Sequence, residues 1–349
     1  MIIGGFAATA HAQSNVTIYG LIDAGLVSER GGPAGNVTKL TSGVSGQSRI
    51  GFKGQEDLGN GLATVFQFET GFKDDDGSLD SANTIFNRQA FVGLTSKDLG
   101  TMTLGRQYTP LYLAMSQVAD PFAAGYAGNI KNLFPAKGNN TRTSNAINYS
   151  TANYQGFSAD AQYALGEQAG DATAGRQFGA GFNYANGPLT ARITYNNKNT
   201  SVAGKPPIDN SRNTLFAANY DFQVVKAFLA YGVDKGPVSA ELPNANAFNA
   251  KVAPTPSTDS NEWLVGATMP VTAVDILVAS YIKKNDKTSF NQDADQWGLG
   301  YQHLLSKRTL AYVAYAKIKN KNGAGYTVGN NNEAGTGDKA FNVGIRHSF

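Results

Sequence analysis

The chain has 349 residues, 16% of them charged, with 29 Lys and Arg against 26 Asp and Glu. That charge content lies below the roughly 25% usual for soluble domains, and so small a positive surplus, with no long basic run, gives no footing for a nucleic-acid partner. Without cysteine there is no disulfide scaffold, thiolate metal site or cysteine nucleophile, and no apolar run approaches the ~18 residues a spanning helix requires. Forty glycines, 16 Tyr, 19 Phe and abundant Asn, Thr and Ser suit many short strands joined by turns.

Residues 1–12, MIIGGFAATAHA, are a short apolar stretch ending in Ala10-His11-Ala12. This is the small-x-small pattern that precedes signal-peptidase cleavage, but no basic region comes before it. The segment reads as a signal-peptide remnant or a misplaced start, with a greasy terminus as the alternative, and 13–349 reads as one domain.

In a strand, residues i, i+2 and i+4 share a face, so parity identifies half-apolar strands. A first strand is predicted from Asn15 to Val27. Phe157, Ala159, Ala161, Tyr163 and Leu165 alternate with Ser158, Asp160 and Gln162. Phe178, Ala180, Phe182 and Tyr184 form a second such set, and across an NGP turn Leu189, Ala191, Ile193 and Tyr195 form a third. Trp297, Leu299, Tyr301 and Leu305 continue the pattern. The terminal KAFNVGIRHSF keeps Phe341, Val343, Ile345, His347 and Phe349 on one parity. Stretches 101–107, 274–283 and 309–319 carry apolar residues on both parities, and their faces stay open.

Short gaps fall at 57–61, 97–100, 151–155, 186–188, 221–223, 270–273 and 305–308. Long polar ones lie near 28–43, 73–86, 108–141, 166–176, 197–213, 233–260, 284–294 and 319–338. Short and long alternate, and fifteen connections join sixteen strands. A soluble sandwich has no reason to sort its turns by length, whereas an outer-membrane barrel has short periplasmic turns and long extracellular loops. The expected fold is therefore all-β, a 16-stranded antiparallel transmembrane β-barrel with two aromatic girdles. Lipid cannot satisfy an open sheet edge, so the first strand should pair with the last. Phe349 then sits at the seam on the lipid face near the periplasmic interface. Sandwich, propeller and β-helix are the alternatives, but no repeat of 40 to 50 residues is visible.

The segments VTIYGLIDAGL (16–26), SRIGFKGQEDLGNGLATVFQFETGF (48–72), FNRQAFVGLTS (86–96), GTMTLGRQYTP (100–110) and VGIRHSF (343–349) resemble the general-diffusion porins of Gram-negative bacteria. The likeness is to the anion-preferring β-proteobacterial group that includes Burkholderia, Bordetella, Delftia and Neisseria. It implies a homotrimer of barrels among outer-membrane lipid and lipopolysaccharide, with Phe349 read by the barrel-assembly machinery as an assembly signal. It also implies that the third long loop folds inward as a constriction, and that small hydrophilic solutes and anions diffuse through passively.

Sixteen strands enclose a lumen too wide for side chains to fill. Loop 108–141, the longest, is the candidate to narrow it, the alternative being a floppy outer loop. If Ile50 and Phe52 face lipid, Arg49 and Lys53 face inward; if Ile147 and Tyr149 face lipid, the even parity including Arg142 faces inward. Arg88 and Arg106 match pore arginines of the family, although Arg106 shares parity with Met102 and Leu104, so its inward placement rests on the resemblance or on a bulge. Permanently charged guanidinium groups in a narrow passage favour anions. Asp120, the only acidic residue of the loop, is the candidate opposite pole of a transverse field. Tyr19, Asp23, Gln67 and Glu69 fall on lumen parity as weaker candidates.

An enzyme would need an activated nucleophile with a base nearby. The mature histidines, His303 and His347, lie on apolar parity without a Ser or Asp at a telling spacing. No metal-ligand cluster or phosphate-cradling loop stands out, so no cofactor is expected; Asp74-Asp75-Asp76 reads as a solvated loop or a site for divalent ions among lipopolysaccharide phosphates. A substrate-specific channel or a barrel adhesin remains open, and saturating flux would mark the former.

Overall fold

The structure, a computed structural model, describes residues 15–33, 35–240 and 257–349. The expected signal remnant at 1–12 and much of the expected loop 233–260 lie outside them.

The strands follow one another with alternating apolar and polar residues, which suit a pleated surface wetted on one side. They are β1 (Asn15–Gly32), β2 (Gly35–Ser42), β3 (Arg49–Gly59), β4 (Leu62–Gly71), β5 (Gln89–Ser96) and β6 (Gly100–Tyr108). After a long loop come β7 (Arg142–Ser150), β8 (Phe157–Ala164), β9 (Gln177–Asn186), β10 (Leu189–Lys198), β11 (Ser211–Asp221) and β12 (Lys226–Pro237). The chain ends with β13 (Ser257–Pro270), β14 (Asp275–Asp286), β15 (Ala294–Leu304), β16 (Thr309–Asn320) and β17 (Lys339–Ser348).

Each strand pairs antiparallel with its neighbours. The upper half of β1 pairs with β2 (Ala24 opposite Ser42) and its lower half with β3 (Leu21 opposite Arg49). β2 and β3 are thus two pieces of one stave, and the sheet is a closed barrel of sixteen. The expected loop at 28–43 is corrected accordingly: most of it is strand, β1 and β2 pairing as far as Gly32 opposite Gly35. The interruption lies instead at 43–48. The other side of β1 pairs with β17, from Leu21 opposite Ser348 to Arg30 opposite Lys339. Gly20 N donates to Phe349 O at 3.0 Å and Phe349 N to Gly20 O at 3.1 Å, so the last residue closes the seam. A Cβ on Gly20 would stand 2.1 Å from the Phe349 ring, so only glycine admits that cover.

The apolar parity faces outward as expected. Phe182, Ile193, Leu299 and Ile345 are each about half exposed, and Ile193 lies opposite both Phe182 and Phe216. Hydrocarbon covers such a face where no protein does. Rings collect at two levels. Phe157 with Tyr184 (4.6 Å) and Tyr220 with Phe222 (4.5 Å) lie by the short turns, whereas Tyr231 with Trp263 (4.3 Å) and Trp297 with Tyr315 (5.3 Å) lie toward the long loops.

Two of the three stretches with apolar residues on both parities, 274–283 and 309–319, now have a reason. On β14, Val278 and Ile282 turn inward, and on β16 Leu310, Tyr312, Ala314, Ala316 and Ile318 do, all buried. Leu111, Met115, Ile130, Leu133 and Phe134 of the long loop 109–141 pack against that wall. The hydrophobic core therefore sits inside the barrel on one side. The opposite side, beneath β1 and β3 to β7, stays polar.

Candidate pore constriction

Loop 109–141 enters the lumen by a legible local device. Thr109 caps a short helix, α1 (Pro110–Ala114), its hydroxyl accepting from Tyr112 N at 3.1 Å, with Pro110 at the first helical position, where a missing N–H costs nothing. The chain then widens into a π turn over Met115–Ala119 and crosses the barrel. Asp120 fixes the crossing. Its buried carboxylate accepts from the backbone N–H of Phe122 (3.0 Å), Ala124 (2.9 Å) and Ile130 (2.9 Å). The expectation that Asp120 supplies the negative pole of a pore field is therefore corrected: three backbone donors turn it away from water. Burial pushes its carboxyl up to about 6.

Two walls receive the loop. Gln296 Nε2 donates to Gly128 O (3.0 Å), Asn132 Nδ2 donates to Gln296 Oε1 (2.7 Å), and Asn219 Nδ2 donates to Val118 O (2.9 Å). On the other side Tyr126 N donates to Val44 O (2.8 Å), inside the break between β2 and β3. Asp23 holds that break open: its carboxylate accepts from Ser45 N (2.9 Å), Gly46 N (2.8 Å) and Tyr312 Oη (2.6 Å). Asp23, expected as a lumen residue, is thus wholly buried and structural.

Six of the expected residues converge. Glu69 Oε1 accepts from Arg88 Nε at 2.6 Å, and its other oxygen lies 3.5 Å from Arg49 Nε and accepts from Tyr19 Oη at 2.8 Å. Gln67 Nε2 donates to the same Tyr19 oxygen at 2.6 Å. Arg88 also donates to Gln47 Oε1 and to Tyr108 Oη. Arg142 joins from the adjacent strand β7, its Nη2 donating to Tyr108 Oη (2.9 Å) while its guanidinium lies 4.5 Å from that ring's centre. Tyr108 stacks on Tyr112 (5.1 Å, 10° between planes), so helix α1 carries an aromatic shelf on which two arginines rest.

Two expected residues stand apart. Lys53 lies over the Tyr19 ring (5.2 Å) and lines a lower chamber with Asn15, Thr17 and Gln67, four residues or about 13 Å along the strand from Arg49. Arg106 pairs with Ala90 on the face that carries Phe68 and Leu104. β6 and β7 do bulge between Gly105 and Gln107, but the Arg106 guanidinium goes to Asn87 O (2.7 Å) and Ser144 Oγ (2.9 Å), away from Glu69. The histidines have partners that spacing did not reveal. His303 Nδ1 lies 2.7 Å from Asp275 Oδ1 across two strands, and His347 Nδ1 lies 2.8 Å from Thr309 Oγ1. Both pairs sit at the short-turn rim.

Open space continues on both sides of the loop. A cavity of about 450 Å³ is lined by Arg49, Arg88, Arg346 and Tyr108, and one of about 230 Å³ by Lys131, Lys137, Arg142, Asp80 and Glu333. They share Gln47, Tyr112 and Asn331. Sequence parity did place Arg346 opposite the apolar set, but nothing distinguished it from other strand-end cations; Lys131 and Asn331 sit in irregular loops, where parity carries no signal.

Lys131 responds to pH. Desolvation, then repulsion from Arg142, lowers its ammonium to about 7. A base lowered in this way is charged below about pH 7 and neutral above. Any bias toward anions that its charge contributes should fade as the pH rises from 6 to 8, read as a reversal potential drifting toward zero under a salt gradient. Lys131→Met should flatten the drift, and a drift that persists in that variant would assign the titration elsewhere.

A closed antiparallel barrel with an apolar outer belt, a polar lumen and an inward loop between two water chambers is a transmembrane diffusion pore. The chain belongs to the Gram-negative porin family, whose model matches residues 1–323. It is 31% identical to an outer membrane porin protein of Bordetella pertussis, over 100% of this chain and 98% of that one. It is 33% identical to outer membrane porin protein 32 of Delftia acidovorans, over 97% and 95%. Among solved structures, the anion-selective porin from Comamonas acidovorans superposes with a TM-score of 0.78 at 28% identity, covering 97% of this chain and all of that one. Outer-membrane OmpT of Vibrio cholerae, at 0.66 and 16%, shares the fold. The protein is thus an outer-membrane porin for passive diffusion, of a family of channels and not of enzymes.

Proposed function

We propose that this pore prefers anions and that Arg49, Arg88 and Arg142, joined by Arg346 and Lys131, set the preference. The observation that carries this reading is the lining of the 450 Å³ cavity against the third loop: three arginines and, among the described residues, no carboxylate. Glu69 offsets part of the charge of Arg49 and Arg88 but is itself buried behind them. The Debye length is about 8 Å at physiological salt, so only charges crowded at the neck bias a passing ion. The anion-selective relative from Comamonas acidovorans agrees in kind.

The test is a planar bilayer under a KCl gradient. The native pore should give a reversal potential of anion-selective sign, and jointly replacing Arg49, Arg88 and Arg142 with Gln should bring it close to zero. A cation-selective native pore would reject the preference; an unchanged potential in the triple variant would reject these residues as its source. We also read the chain as one subunit of a homotrimer, as in the trimer form of the Vibrio cholerae fold neighbour, with lipopolysaccharide and the barrel-assembly machinery as further partners.

A further inference from the structure

The final long loop, 321–338 between β16 and β17, is built unlike a solvated loop. Residues 324–330 are all buried. Val328 N donates to Gly337 O (2.9 Å), and Asn320 Nδ2 to Tyr326 O (3.0 Å). The tip turns at Asn330, whose Oδ1 accepts from Asn332 N (2.8 Å) and Glu333 N (2.9 Å). Behind the tip, Lys39 bridges Glu29 (2.9 Å) and Glu333 (2.7 Å), and Thr336 Oγ1 donates to Glu29 Oε2 (2.6 Å). The loop is held inward from both sides.

Asn331 sits at that tip with every polar group engaged. Its backbone N donates to Val44 O (3.1 Å), and its Oδ1 accepts from Gln47 N (3.2 Å). Its Nδ2 donates to Ala124 O (2.9 Å), and its backbone O accepts from Lys131 Nζ. Those partners belong to the break between β2 and β3 and to two separate parts of the third long loop. Asn331 also lines both water cavities, at their common boundary. Gln47 in turn accepts from Arg88 and lines the same boundary.

We propose that Asn331 is a positioning residue for permeation. It locks the last loop to the third loop and to the strand break, and so fixes both the width of the neck between the cavities and the place of the Lys131 ammonium. The inference rests on the reading of this neck as the selective part of the pore. An amide suits the position because it donates and accepts at once without adding charge; a carboxylate there would lose the bond to Ala124 O and oppose the surrounding cations.

The test compares Asn331→Ala and Asn331→Asp with the native chain in planar bilayers, and in liposomes swelling in neutral sugars of graded size. The alanine variant should conduct roughly 1.5-fold more, admit larger sugars and move the reversal potential toward zero, because the neck widens and Lys131 is released. The aspartate variant keeps the acceptance from Gln47 N but loses the bond to Ala124 O, so it should conduct between the native and alanine pores while shifting the potential further toward cations, a result that a merely structural role would not produce. Asn331→Ser carries the same comparison if the alanine variant fails to insert. Folded variants with native conductance, sugar cut-off and reversal potential would overturn the proposal. The anion preference is read separately from the sign of the native potential, so it can stand while the role of Asn331 falls.

Discussion

Deleting Phe349 should abolish most recovery of the folded barrel, both in cells and on refolding into detergent. The residue closes the seam through two backbone bonds with Gly20, and its ring covers the glycine from outside. Without it, Gly20 N–H and C=O are left bare on a face with little water to replace the partner. An unpaired buried backbone group costs about 1 to 3 kcal/mol, so losing both removes about 2 to 6 kcal/mol from the one seam that joins the chain's ends. Phe349→Ala keeps the backbone exchange and loses only the cover, so its defect in refolding should be clearly smaller. Refolding without any cellular factor matters here because a terminal aromatic read by assembly machinery would fail only in cells. If the deletion refolds in detergent with native strand content and native resistance to urea, the seam does not depend on the last residue.

The barrel was legible in the sequence because the membrane imposes a rule that soluble folds do not. Phe182, Ile193, Leu299 and Ile345 have hydrocarbon on one side and water on the other, and parity alone reports that. The rule fails where a second covering layer exists: Val278, Ile282 and Ile318 face inward yet are apolar, because the third loop lies over them. The strand break failed for a related reason. The expected loop 28–43 reached only the first residue of GVSGQS (43–48), since nothing local reveals that Asp23, 22 residues before Ser45, holds those amides. Arg49 and Arg142 were readable from parity as lumen cations and Arg88 from resemblance, but Glu69 between them and the Tyr108 shelf beneath them depend on pairing across strands. Asp120 was misread because a lone acid on a polar loop looks solvated until its three donors are in place. Arg106 rested on resemblance or a bulge, and its pairing with Ala90 shows that the bulge between Gly105 and Gln107 is present without turning the side chain within it inward.

Replacing Gly298 with Val should unseat the third loop while leaving the barrel closed. Gly298 lies on β15, where a β-branched residue suits the strand, but a Cβ there would fall 2.7 Å from Gly128 Cα on the loop. Backbone cannot yield as a flexible side-chain end can, so the loop must move. Phe122, packed 3.3 Å from the same point, would be displaced as well, and with it the Gly128 carbonyl that accepts from Gln296 and Ser280. Overpacking of this kind costs about 1 to 3 kcal/mol, which falls on the loop and not on the strand ladders to β14 and β16. Single-channel conductance should rise on the order of twofold as the lumen widens, and the charge selectivity should fall, since the arginines then face a broader aqueous path beyond the reach of their screened field. Gly125→Val attacks the loop from the opposite wall, its Cβ 1.9 Å from Ser45 O, and should give the same pair of changes. Native conductance in both variants, with the strands intact by circular dichroism, would mean that the loop does not set the width of the pore.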